Sequence, residues 1–171
     1  MTAIRKTSDS LPPQPVSLPA RKGLAVLFGA LSVATLAAGG LLTQLGLGPW
    51  YEGLQIPWFQ PPAWVFTPAW TLIFILLAIA TWRISRHGTI ARIAIAIYGV
   101  QLVLNALWSL FFFPMQRPDL ALVDAVALMA VIFLMILRYA RIDRIAGVML
   151  VPYACWMCLA TAINLWIVLH N

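Results

Sequence analysis

Five nearly continuous apolar stretches, each long enough to cross a bilayer, constrain this chain more than any other feature. They run from Gly23 to Leu47, Pro62 to Trp82, Ile90 to Phe113, Leu120 to Leu137 and Ile145 to Leu169. A hydrocarbon core of about 30 Å takes roughly 20 helical residues. Lipid offers the backbone no hydrogen-bonding partner, so each stretch must satisfy its own N–H and C=O groups as a helix. The fold class that follows is all-α, an integral membrane five-transmembrane-helix bundle. Composition agrees, with 63% apolar and 9% charged residues, where a soluble domain carries about a quarter charged. The 171 residues then hold one membrane domain, 23–171, behind a cytoplasmic tail, 1–22, in which Pro12, Pro13, Pro15 and Pro19 predict flexibility. The first stretch has a competing reading as a signal peptide, because basic residues precede it and Ala37-Ala38-Gly39 supplies small ones. A signal core is only about 7–15 residues long, which favours a retained helix.

The formal charge of +6 raises the question of nucleic acid, and placement answers it. Arg5, Lys6, Arg21 and Lys22 precede the first stretch; Arg83, Arg86 and Arg92 surround the second connection; Arg138, Arg141 and Arg144 surround the fourth; Arg117 alone lies in the other set. This bias puts the N-terminus in the cytoplasm and the C-terminus outside. The charge is topological, and nucleic acid is no partner. Positive-inside logic favours a bacterial cytoplasmic membrane, with an outer membrane as the alternative.

Gly48 to Pro62 is rich in proline and aromatics and reads as a loop at the outer interface rather than as a helix. Trp50, Tyr51, Trp58 and Phe59 suit an interfacial belt, yet their density also suits a lid. Pro68 falls inside the second helix and predicts a kink. On the third helix Tyr98, Gln101, Asn105 and Trp108 share one face; on the fifth, Tyr153, Trp156, Ala160 and Asn164 do. Amides in hydrocarbon need partners, so these faces should point inward. There they either bind helix to helix or orient a flat apolar ligand in a ring-lined cavity.

Asp124 is the one acid well inside an apolar stretch, and Asn105 or water is the expected partner for a structural hydrogen bond. Cys155 and Cys158 form a C-x-x-C pair that two small buried hydrophobes explain better than redox or zinc chemistry. No phosphate loop, carboxylate pair or serine–histidine–acid set is present. No catalytic residue, metal site or cofactor is expected, and the chain does not read as a conventional enzyme. Leu137-Arg138-Tyr139-Ala140-Arg141 fits a loose cholesterol pattern that arises readily at helix ends.

Three segments carry a family resemblance. W-Y-E-G-L-Q-I-P-W-F-Q-P-P-A-W-V-F-T-P-A-W-T from Trp50 to Thr71, Q-L-V-L-N-A-L-W-S from Gln101 to Ser109, and V-P-Y-A-C-W-M-C-L-A-T-A-I-N from Val151 to Asn164 resemble the tryptophan-rich sensory protein/translocator protein family in order and spacing. That resemblance implies a five-helix bundle, usually a homodimer, with one pocket per protomer beneath the first loop. It implies porphyrin binding, with sterol and drug binding in animal members. By motif position the pocket would involve Tyr51, Trp64, Trp70, Asn105, Trp108, Trp156, Ala160 and Ile163. Trp70 and Trp156 match tryptophans implicated in light-dependent porphyrin breakdown by bacterial relatives.

Ile56, Phe59 and Phe74 stand where the family commonly has lysine, tryptophan and tyrosine. Loss of the lysine removes one charge-assisted contact to a propionate. The C-terminal cholesterol motif of animal members is absent after Asn164. The resulting expectation is a membrane binder, sensor or scavenger of porphyrins or another flat apolar ligand, surrounded by membrane lipids. The alternatives are a porphyrin or lipid transporter and a membrane thiol oxidoreductase.

Overall fold

A computed structural model describes residues 18–171, with side chains from Lys22 onward. The expected tail therefore lies outside the described residues up to 17. The first helix, α1, is Leu18–Gly46, so it begins before the expected Gly23. After it come a single turn, α2 (Pro49–Glu52), and α3 (Ala63–Ser85). A 3₁₀ turn at Gly88–Ile90 leads into α4 (Ala91–Phe112), followed by α5 (Pro118–Ile142), α6 (Arg144–Val148) and α7 (Val151–His170). Among the described residues five spans are long and apolar enough to cross a membrane, and the chain is a multi-pass membrane protein.

Two expectations about element shape need correcting. The first loop contains one helical turn, begun by Pro49, whose missing N–H has no helical partner at that position anyway. The fifth span, expected as one helix, is broken at Met149 and Leu150. Pro152 is the cause: it cannot donate to the ladder, and its ring excludes the carbonyl four residues back. Asp143 starts the short α6 by accepting from Ile145 N at 3.0 Å and Ala146 N at 3.3 Å. Its other oxygen accepts from Arg83 Nε at 2.9 Å and lies 2.7 Å from Nη2, tying the end of α3 to this corner. Helix α3 continues through Pro68.

The spans form a ring in which α1 packs on α3 and α4, α4 on α5, and α5 on α7. Buried residues on α5 recur as Ala121, Asp124, Ala125, Leu128, Ile132, Met135 and Tyr139, the stripe of a helix that shows one face to a bundle. Where α1 ends against α4 the fit depends on Gly46, since a Cβ there would meet Phe113 backbone atoms at 2.5 to 2.6 Å. By contrast, α4 and α7 do not approach closely. Long side chains bridge the gap between them, and the candidate site lies there.

Candidate ligand-binding site

The inward polar faces meet as expected, and they meet each other. Tyr153 on α7 accepts hydrogen bonds from Gln101 Nε2 at 2.8 Å and Asn105 Nδ2 at 3.0 Å on α4. One turn nearer the first loop, Trp108 Nε1 donates to Asn164 Oδ1 at 3.1 Å, while Asn164 Nδ2 donates to Pro118 O at 2.8 Å. Of the two roles open to these amides, helix-to-helix binding is the one this conformation uses. Asn105 Nδ2 donates to Tyr153 and not to Asp124, for which it was one of the two expected partners. Asp124 is buried, and its Oδ2 has no hydrogen-bond partner.

Toward the first loop the same gap widens into a cavity of about 60 Å³. Its wall includes Tyr51 from α2, Phe66 from α3, Trp108 from α4, and Ala160 and Ile163 from α7. Stacking shapes it: Trp108 lies on Phe112 at 5.1 Å between ring centroids, and Tyr51 leans on Phe113 at 6.0 Å. The loop acts as a roof. Trp50, Tyr51 and Phe59 turn inward, with Trp50 on Phe112 at 5.9 Å and Phe59 on Trp166 at 6.1 Å. Trp58 instead points outward, 89% exposed. Two hydrogen bonds fasten the roof to the end of α7: Gln55 N donates to Asn171 Oδ1 at 2.8 Å, and Asn171 Nδ2 donates to Gln55 O at 3.3 Å.

Of the eight residues expected at the pocket, Tyr51, Trp108, Ala160 and Ile163 share this cavity. Trp70 and Trp156 form an adjoining pair at 6.3 Å, and Phe66 joins them to the cavity by its contact with Trp156 at 5.4 Å. Asn105 sits one turn deeper, on Tyr153. Trp64 stands apart, 75% exposed. Sequence reasoning missed Phe66, Phe112 and Phe113; the spacing of four from Phe66 to Trp70 and from Trp108 to Phe112 was the available signal. Trp156 Nε1 and Thr161 Oγ1 are buried without partners, and buried polar atoms in that state are uncommon.

Several features lie elsewhere. Cys155 and Cys158 are free and exposed, so they are not the buried pair expected. Tyr139 of the cholesterol-like pattern is fully buried, with its hydroxyl 2.9 Å from Thr81 Oγ1, and cannot face a sterol. Among the described residues no three His, Cys, Asp or Glu side chains come together to hold a metal. A larger recess of about 400 Å³ opens between α1 and α3, and none of the eight expected residues lines it.

Comparison with known proteins accounts for this arrangement: the model of the TspO/MBR family matches residues 25–169. The chain belongs to the TspO/MBR family. It is 36% identical over 151 residues to the tryptophan-rich protein TspO of Chlorobaculum tepidum, covering 86% of this chain and 95% of that one. The tryptophan-rich sensory protein of Cereibacter sphaeroides is 36% identical over 139 residues, 79% of this chain and 87% of its own. The translocator protein of Sus scrofa is 30% identical over 134 residues, 74% and 79% respectively. The TspO/MBR match spans the roof, the cavity walls and the Tyr153 cluster alike.

Proposed function

We propose that this protein binds a flat apolar ligand of the porphyrin class beneath its first loop and acts as a binder, sensor or scavenger. The observation that carries the reading is the cavity that Tyr51, Trp108, Ala160 and Ile163 help to line, with the Trp70–Trp156 pair beside it. Aromatic faces stack on a macrocycle, and the partnerless Trp156 Nε1 is a donor for its polar edge. Sites for such ligands are usually about 300–1,000 Å³, so the cavity of about 60 Å³ is a closed state and the roof lifts on binding. The fastenings at Gln55 and Asn171 are exposed and few, which suits a lid. The family resemblance adds a homodimer to this reading. The basic residues at one end of the bundle favour a cytoplasmic membrane with the N-terminus inside.

Titration of the purified protein with protoporphyrin, followed by tryptophan quenching and by the porphyrin's own absorbance, tests the proposal. Trp156→Phe is expected to weaken binding several-fold, corresponding to about 1 kcal/mol of stacking. Trp82→Phe, at the basic end of α3, is expected to leave it unchanged. Equal effects would mean that these rings only anchor the bundle.

A further inference from the structure

The recess between α1 and α3 has a shape and a mouth that the ligand cavity does not explain. Ala25, Gly29 and Leu36 line it from α1, and Thr71, Ala78 and Trp82 line it from α3. Small side chains leave the space open, and a Cβ placed on Gly29 would meet nothing within 4 Å. At a rise of about 1.5 Å per residue, Ala25 to Leu36 spans roughly 16 Å. One leaflet of a bilayer has a hydrocarbon depth of roughly 15 Å, half the core.

The recess offers no free hydroxyl in its depth. Ser32 Oγ is 3.1 Å from the Tyr98 hydroxyl, and Thr71 Oγ1 donates to Thr67 O at 2.8 Å. Its occupant is therefore hydrocarbon along that length and polar only at the mouth. The mouth is cationic: the Arg86 guanidinium sits 5.4 Å from the Trp82 ring centroid, and exposed Lys22 lies three residues before Ala25 on the same face of α1. Among the described residues the acid at this end is Asp143, and Arg83 holds it at 2.7 Å. Among the described residues an arriving anion meets these two cations, and the one acid at this end is already paired.

We propose that this recess binds one acyl chain of an anionic phospholipid from the leaflet at the basic end of the bundle, with its phosphate at Lys22 and Arg86. The site is separate from the cavity beneath the loop, so a lipid and a ligand can be held together.

The full chain, reconstituted in vesicles of phosphatidylglycerol and phosphatidylcholine with identical chains, would be released for native mass spectrometry. Retention of phosphatidylglycerol in preference to phosphatidylcholine is expected. The preference should fall about five-fold for Lys22→Gln and again for Arg86→Gln, the worth of one cation near an anionic surface. Gly29→Leu puts a side chain into the recess from a position where an added Cβ meets nothing within 4 Å and should abolish retention of both lipids; circular dichroism checks that it folds, and Arg86→Gln tests the claim independently. Equal retention of the two lipids, or retention unaffected by Gly29→Leu, overturns the proposal by leaving only annular lipid. Quantitative disulfide dimers of Ala78→Cys, made with Cys155→Ser and Cys158→Ser because both native thiols are exposed, overturn it too, because a second copy would then fill the recess.

Discussion

Replacing Tyr153 by phenylalanine should destabilise the bundle far more than the loss of one hydroxyl suggests. That hydroxyl accepts from both Gln101 Nε2 and Asn105 Nδ2. Gln101 is fully buried, and its Oε1 already lacks a partner, so the variant strands its whole amide. A stranded buried donor costs about 1–3 kcal/mol in a soluble protein, while hydrogen bonds between membrane helices average about 0.6 and reach about 1.7 kcal/mol. Two donors then give about 1–3 kcal/mol. Tyr139→Phe is the control: Thr81 Oγ1 still donates to Leu77 O at 2.8 Å, so no donor is stranded. The control should cost about 0.5 kcal/mol or less. Reversible unfolding in mixed micelles, followed by far-ultraviolet circular dichroism, measures both. Adding Gln101→Leu to Tyr153→Phe should recover part of the loss, because removing both partners leaves nothing unsatisfied. If Tyr153→Phe costs no more than Tyr139→Phe, or if Gln101→Leu deepens the loss, the hydroxyl does not organise these amides and the reasoning fails.

Three further outcomes are expected. Asn171→Ala removes two exposed fastenings of the loop, each worth at most about 1 kcal/mol, and should speed porphyrin association about two- to ten-fold in stopped-flow mixing; an unchanged rate would mean that the loop does not gate entry. Ile56→Lys places a cation on an exposed loop position near Glu52 and should tighten dicarboxylic porphyrins by up to about five-fold but not their neutral esters, an effect that shrinks with salt; equal tightening of both would put the propionates elsewhere. Burial pushes the Asp143 carboxyl up, but bonds from Ala146 N–H and Arg83 outweigh it and hold the carboxyl below its ordinary range. Its stabilisation is therefore present above pH about 4 and is lost as pH falls further. Thermal melts of the wild type should drop between pH 5 and 3, and Asp143→Asn, which keeps a capping side chain, should flatten that step; an identical acid response in both would remove Asp143 as its cause.

The sequence by itself determined the five spans, because crossing hydrocarbon requires a run of apolar residues that is visible without any partner. It determined that Gln101, Asn105 and Asn164 face inward, since helical periodicity sorts residues by face and lipid penalises amides on the wrong one. The family resemblance grouped eight residues, of which Tyr51, Trp108, Ala160 and Ile163 line one cavity. Only the tertiary structure decided what those faces touch. Asn105 donates to Tyr153 across 48 positions of chain rather than to Asp124, and Asn171 takes Gln55 across 116. Such pairings depend on how far apart two helix axes settle, and no local pattern encodes that distance. The same holds for empty space: where α4 and α7 stand apart the rings line a cavity, and where Ala25, Gly29 and Ala78 leave room between α1 and α3 a recess opens. A missing side chain reads as a small residue in the sequence, and becomes a site only when its neighbours fail to fill it.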